Sequence, residues 1–293
     1  MRIAVVDVGS NTVRLLVAAT GAGGLAPLHE EKATLLLGEE VEQHGRIRPK
    51  KIEQAAGVLA RYARIARELR ASRLDVIVTA PGRQSENADE LLYALTAAAG
   101  TPARVVSADE EGRLAYLGAV AAADALPETV AVCDVGGGST EIVVGTLSAG
   151  PAWARSLELG AVRLTRRFFA DDPPRSPAIA RAAEEVLREL DGVVPPPARA
   201  ALVAGGTARA LRKLVGLRLG PDELATALRL ASEAPSRILA KEYGFDRSRA
   251  RTLAAGALIL TGVQQRLVVP MYVARGGLRE GAALELLAED RAA

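Results

Sequence analysis

The segment Ile3-Ala-Val-Val-Asp-Val-Gly-Ser-Asn-Thr-Val-Arg-Leu-Leu-Val-Ala18 aligns without a gap on Val130-Ala-Val-Cys-Asp-Val-Gly-Gly-Gly-Ser-Thr-Glu-Ile-Val-Val-Gly145, with Asp7 and Asp134 standing 127 residues apart. Each copy reads as a buried strand ending in Asp, a Gly-rich turn carrying a hydroxyl side chain, and a second apolar strand. That pattern is a β-hairpin built around its turn. A chain of 293 residues has room for two domains at roughly 100 to 200 residues each. The duplication therefore predicts two similar domains facing each other.

Between and after the copies the pattern is α/β. Helical spacing of apolar residues predicts helices over 52–70, 87–99 and 109–123, with strands over 74–79 and 104–107. After the second copy come a strand over 152–157, a helix over 161–169, a loop over 171–177 and a helix over 178–190. A strand over 201–204 leads through Gly205-Gly-Thr207 into a helix over 208–215. Helices then dominate to Gln265, followed by a strand over 268–273, a turn at Gly276-Gly277 and a final helix. No low-complexity linker separates the halves, so the boundary near residue 118 reads as a hinge within continuous structure.

Composition removes several functions. The formal charge is +2, and Lys occurs only at Lys32, Lys50, Lys51, Lys213 and Lys241, so 32 of 37 cations are Arg. They are interleaved with acids and form no contiguous patch for nucleic acid. The lone Cys133 cannot make an internal disulfide, which fits a reducing compartment. The N-terminus reaches Asp7 too soon for a signal peptide, and the uncharged stretch Thr252–Gln265 is too short for a bilayer. A cytoplasmic protein with no membrane partner is expected. His29 and His44 stand in polar, loop-like sequence without partner motifs, which disfavours His-ligated zinc, a Ser-His-Asp triad or a Cys-His pair.

What remains is chemistry by carboxylates, hydroxyls and backbone amides. Asp7-x-Gly9-Ser10-Asn11 and Asp134-x-Gly136-Gly137-Gly138-Ser139-x-Glu141 are turns whose glycines let N–H groups converge on a phosphate oxygen, while the Asp can hold a metal or its water. The same residues also suit tight hairpin turns whose Asp caps backbone amides, a reading that two ungapped copies weaken. Gly205-Gly206-Thr207, between strand and helix, offers a helix N-terminus to an anion. Neither a G-x-x-x-x-G-K-[ST] loop nor a G-x-G-x-x-G loop after a strand is present.

These motifs, with Ser107-Ala-Asp-Glu-Glu-Gly-Arg113, Leu159-Gly-Ala-Val-Arg-Leu164 and Gly276-Gly-Leu-Arg-Glu-Gly281, resemble the exopolyphosphatase and guanosine pentaphosphate phosphohydrolase family over nearly the whole chain. The glycine loops are shared with the actin, sugar-kinase and heat-shock-ATPase superfamily, whereas Glu-Glu-x-Arg and Gly-Gly-Leu-Arg-Glu-Gly are specific to the family. The resemblance implies two actin-like (ribonuclease H-like) domains across a cleft, drawn as 1–118 plus 282–293 and 119–281. It implies hydrolysis of the terminal phosphate of linear inorganic polyphosphate, with Glu111 as general base; short polymers are expected because the chain stops soon after residue 281. Alone, Glu110 and Glu111 read as solvated first-turn residues favoured by the helix dipole. It further implies Mg²⁺, or another divalent cation, on Asp134, Glu141 and Asp7. Phosphate would be gripped by Gly9, Ser10, Asn11, Arg83, Gly136, Gly137, Gly138, Ser139, Gly205, Gly206 and Thr207. A homodimer is implied as well.

Three departures stand out. The family's Thr-Ser-Ala-x-Arg-Glu-Ala-x-Asn reads Thr79-Ala-Pro-Gly-Arg-Gln-Ser-Glu-Asn87 here, keeping Arg83 and Asn87 but replacing a serine and an acid by Ala80 and Gln84. Its Arg-Ala-Asp-x-Ile reads Arg249-Ala-Arg-Thr-Leu253, and the Asp before Gly276 is Arg275. If Arg251 and Arg275 border the cleft, they add anion attraction and remove support for metal or loops. The alternatives are a guanosine pentaphosphate 5′-phosphohydrolase, a non-catalytic sensor of polyphosphate or guanosine tetraphosphate, and, more distantly, a sugar or acetate kinase.

Overall fold

The structure is a computed structural model that describes residues 1–21 and 24–292. It divides into two compact units, Met1–Ala121 with Gly276–Ala293, and Ala122–Arg275.

The first unit begins with the predicted hairpin, β1 (Arg2–Val8) and β2 (Thr12–Gly21), followed by β3 (Gly24–Thr34), α1 (Leu37–His44) and α2 (Pro49–Glu68). Then come β4 (Arg73–Val78), α3 (Ala80–Gln84), α4 (Ala88–Ala99), β5 (Ala103–Val105) and α5 (Ala108–Ala121). The sheet order is β3-β2-β1-β4-β5, with β1–β2 and β2–β3 antiparallel and β1–β4 and β4–β5 parallel. Pro49 fits the first turn of α2, whose missing donor would be unpaired anyway, and Ile52, Ala55, Leu59, Tyr62 and Ala66 recur along its buried side. They pack with Val6, Val8, Val13 and Leu15 on one sheet face, while Ile3, Val5, Leu16 and Ile77 face Leu114, Leu278 and Ala282 on the other.

The second unit repeats the plan. It contains β6 (Thr129–Val135), β7 (Thr140–Thr146), β8 (Gly150–Leu157), α6 (Ala161–Phe168), α7 (Ser176–Glu189), β9 (Ala200–Ala204) and α8 (Gly205–Val215). It continues with α9 (Pro221–Glu233), α10 (Ser236–Tyr243), α11 (Arg247–Arg251), α12 (Leu253–Leu267) and β10 (Met271–Val273). Its sheet, β10-β9-β6-β7-β8, has the same topology read from the other edge. The apolar stretch too short for a bilayer is α12, buried from Leu253 to Leu260 in this unit's core. Among the described residues no helix is long and apolar enough to cross a membrane. Cys133 is wholly buried on β6, where desolvation, and then the charges of Asp134 and Glu141, push its thiol well above the usual range.

The chain returns to the first unit as α13 (Leu278–Ala292). Boundaries expected after residues 118 and 281 lie instead after 121 and 275. The reason is backbone contact between α5 and α13: a Cβ on Gly118 would lie 2.0 Å from the Gly277 carbonyl, and one on Gly281 would lie 1.9 Å from that of Leu114. Only glycine permits this approach, and it keeps both helices in one unit.

Other corrections are local. His29 and His44 are not in loops: His29 lies in β3, with Nε2 3.4 Å from Glu31, and His44 ends α1. The strand expected over 268–273 is shortened because α12 runs to Leu267 and stops at Val268, a left-handed C-cap with φ 51° that is 77% exposed. A β-branched residue pays about 1–2 kcal/mol in that region. Val268→Gly relieves this while adding about 0.5–1 kcal/mol of unfolded-chain entropy. The expected outcome is a variant more stable by about 0.5–1 kcal/mol, read as a higher urea midpoint at unchanged slope.

Candidate active site

Both glycine turns close in the same way. The Gly9 N–H donates to the Thr12 carbonyl at 3.1 Å, and at the matching position the Gly136 N–H donates to that of Ser139 at 3.0 Å. The strand-end carboxylates differ in what faces them. Asp7 stands opposite Arg14 in the β1–β2 register, whereas Asp134 stands opposite Glu141 in β6–β7.

That exchange of a cation for an acid sets the electrostatics of each turn. The Oδ1 of Asp7 is shielded from solvent and accepts no hydrogen bond. Burial raises this carboxyl to about 6 against the pull of Arg279 and Arg14. Arg279 is 4% exposed and donates to the Leu15 carbonyl and to Glu30, both at or below 2.9 Å. Thus the family motif Gly276–Gly281 supplies a buried cation near Asp7 and the glycines that seat α13 on α5. In the second unit two acids oppose each other, a cross-strand arrangement that is destabilising without a cation. Ser156 Oγ donates to Glu141 Oε1 at 3.0 Å, and Asp134 Oδ1 fills the space where a Gly205 Cβ would sit, 2.1 Å away. Gly205 has φ 83°, which also favours glycine there. Hard oxygen donors in such a pair suit a divalent cation. Among the described residues no group of three or more His, Cys, Asp or Glu side chains could hold a metal ion. Of the three residues expected on a metal, Asp134 and Glu141 face each other across β6–β7, whereas Asp7 faces Arg14 across β1–β2.

Glu111 lies in the first turn of α5, and its residue is only 8% exposed. It is not a solvated surface acid. Its Oε2 accepts a 2.7 Å hydrogen bond from Arg83 Nη1, which also donates to the Val106 carbonyl at 3.0 Å. Arg83, expected on phosphate, thus fixes the candidate base. Asn87 is structural: its side chain exchanges two 2.9 Å hydrogen bonds with the backbone of Ile47. Ala80, where the family has serine, is buried at the start of α3.

On α8, Thr207 is 2% exposed and its Oγ1 accepts a 3.4 Å contact from Arg249 Nη1. A Cβ on Gly206 would lie 2.7 Å from Arg249 Nη2, so this guanidinium rests on the third glycine loop. The sequence reading missed Arg249, although it is the retained first residue of the altered Arg-Ala-Asp segment. Arg251 instead donates to the carbonyls of Phe169 and Ala170 beyond α6, and Arg275 pairs with Asp124 at 2.9 Å. Both substituted arginines are engaged within their own unit by groups remote in sequence from the glycine loops.

The Ppx/GppA phosphatase family model matches residues 16–290. The chain belongs to this family. It is 31% identical to Exopolyphosphatase 1 of Mycobacterium bovis over 98% of this chain and 88% of that one. It is 34% identical to Exopolyphosphatase 2 of Mycobacterium tuberculosis over 65% and 62%. The Ppx/GppA family structure from Aquifex aeolicus superposes with a TM-score of 0.83 at 30% identity, covering 99% of this chain and 98% of that one. An exopolyphosphatase structure from Cytophaga hutchinsonii, at 20% identity and TM-score 0.90, shares the fold. The α/β fold with two actin-like domains is accordingly established for this chain.

The raised Asp7 carboxyl gives a signed expectation. Its folded value of about 6 lies above the ordinary 3.8, so the folded state is favoured by protonation below that window and loses this advantage as pH rises through it. Asp7→Asn should therefore gain stability relative to wild type on going from pH 4 to pH 8, by on the order of 1–3 kcal/mol. Urea midpoints of both proteins in EDTA at the two pH values check this; a pH-independent difference contradicts it.

Proposed function

We propose that the chain is an exopolyphosphatase that hydrolyses the terminal phosphoanhydride bond of linear inorganic polyphosphate, with Glu111 as general base. The observation that carries this reading is the partly buried Arg83–Glu111 pair in a chain whose near full-length relative at 31% identity is named an exopolyphosphatase.

The chemistry follows from the residues. Arg83 holds one oxygen of Glu111 and so orients the carboxylate to take a proton from water. Water oxygen bonds to the terminal phosphorus, the bridging P–O bond breaks, and the shortened chain leaves as the phosphate end. The amides of the turns, Ser139, Thr207 and Arg249 bind and orient the phosphates, a role of positioning and electrostatic stabilisation. Asp134 and Glu141 would hold Mg²⁺ or another divalent cation, which when bound neutralises charge on the transferred phosphoryl group. The relatives favour polyphosphate over guanosine pentaphosphate. A buried lone Cys133 supports a cytoplasmic setting, and the family resemblance supports a homodimer.

Glu111→Gln should lower kcat by about 10²-fold or more with KM for polyphosphate little changed. Arg83→Gln should lower kcat in wild type but have little further effect in the Glu111→Gln background, because the two residues act as one unit. Phosphate release from polyphosphate by the four proteins of this cycle is the measurement. Additive losses would return Arg83 to direct phosphate binding, and near-normal turnover of folded Glu111→Gln would remove the base. Asp134→Ala and Glu141→Ala should each raise the Mg²⁺ concentration needed for half-maximal activity; unchanged dependence in both contradicts the metal assignment.

A further inference from the structure

Each glycine turn is gripped from behind by the segment that follows its third strand. In the first unit Gly38 N–H donates to the Ser10 carbonyl at 2.7 Å, and the N–H groups of Leu35 and Leu36 donate to that of Asn11, both at 3.1 Å. In the second, Ala161 donates to the Gly136 carbonyl at 2.9 Å, while Val162 and Arg163 donate to that of Gly137 at 2.9 and 3.1 Å. The contact point is a glycine in both cases. A Cβ on Gly38 would lie 2.6 Å from Ser10 Cβ, and one on Gly160 would lie 2.1 Å from the Gly137 carbonyl oxygen. Ser10 and Gly137 occupy equivalent places in the duplicated hairpins. The gripping segments also match each other, Leu35-x-Leu37-Gly38 against Leu157-x-Leu159-Gly160.

The grip has a directional consequence. In a planar trans peptide the C=O of one residue and the N–H of the next point opposite ways. Once the carbonyls of Gly136 and Gly137 are drawn toward α6, the N–H groups of Gly137 and Gly138 must face away from it. Likewise the Asn11 N–H must face away from the α1 segment. The helix N-terminus of α6 is thereby spent on carbonyls inside the protein, and the turn's own N–H groups point the other way.

We propose that Gly38 and Gly160 are positioning residues, a pair of clasps that turn the amides of Asn11, Gly137 and Gly138 toward the phosphate groups of the substrate. This rests on the polyphosphate reading above. It also denies α6 the role that its N-terminus would otherwise suggest.

Amide-resolved NMR of the full-length native chain, titrated with imidodiphosphate in the presence of Mg²⁺, tests it. The expected result is that the Gly137 and Gly138 amides shift while those of Ala161, Val162 and Arg163 do not. Shifts confined to Ala161–Arg163 would overturn the clasp and leave phosphate binding intact. No shift at either group at saturating anion would overturn the phosphate reading and the clasp with it. A second arm compares Gly160→Ala with Gly57→Ala, a helical position where a Cβ meets nothing within 4 Å. Gly160→Ala should lose about 10²-fold in kcat/KM on polyphosphate, the scale of an ångström-sized misplacement, together with the Gly137 and Gly138 shifts, while Gly57→Ala keeps both. Unchanged kcat/KM in folded Gly160→Ala would overturn the proposal. If Gly160→Ala does not fold, the native titration decides alone.

Discussion

The placement of the candidate base depends on the backbone contact between α5 and α13. Two helices touch through Gly118 and Gly281 at separations that no side chain could occupy. The first carries Glu111 in its opening turn, and the second is the last element of the chain. Interhelical packing through ordinary side chains holds axes 8–10 Å apart. Removing the side chains brings the backbones together and leaves little freedom for α5 to slide. Arg83 then needs only to fix a side chain whose backbone is already set. Two family motifs far apart in sequence, Glu-Glu-x-Arg and Gly-Gly-Leu-Arg-Glu-Gly, thus act on one object, the position of α5.

The duplication preserved the shape of the turn and changed its charge. Asp7 faces Arg14 and lies near Arg279, so its negative charge is answered from within the chain. Asp134 instead faces Glu141, a second acid. A single exchange, Arg for Glu at equivalent positions, separates a turn whose acid faces a cation from one whose acid faces a second acid. The same backbone geometry therefore sits in two different electrostatic settings.

The hairpins were legible because the repeat preserves both register and turn without a gap, and a strand-Gly-strand pattern is local. The third strand and following helix of the first unit were not, since Gly24–Thr34 is an edge strand rich in exposed polar residues with no apolar alternation to mark it. Their counterparts existed in the sequence, but Leu35, Leu37 and Gly38 lie 122 residues from their matches instead of 127, so an ungapped comparison passes over them. Glu111 was read from its motif, yet its burial and its bond to Arg83 join residues 28 apart and leave no local trace. Arg249 escaped for the opposite reason: attention fell on the altered Arg251, two positions away, which is tied to the end of α6. The first compact unit runs to Ala121, past the boundary drawn at 118, because helix α5 continues that far and packs against a chain segment that returns from the far end of the sequence.

Cys133 gives the second unit a built-in clock. Its thiol is fully enclosed on the strand that delivers Asp134, and burial keeps it protonated and unreactive. With no other cysteine in the chain, any thiol-directed reagent reports one event, the exposure of β6. The rate of that reaction measures how often the sheet beneath the Gly136–Ser139 turn opens. Opening that is rare compared with turnover would mean that the turn acts as a rigid template throughout the catalytic cycle.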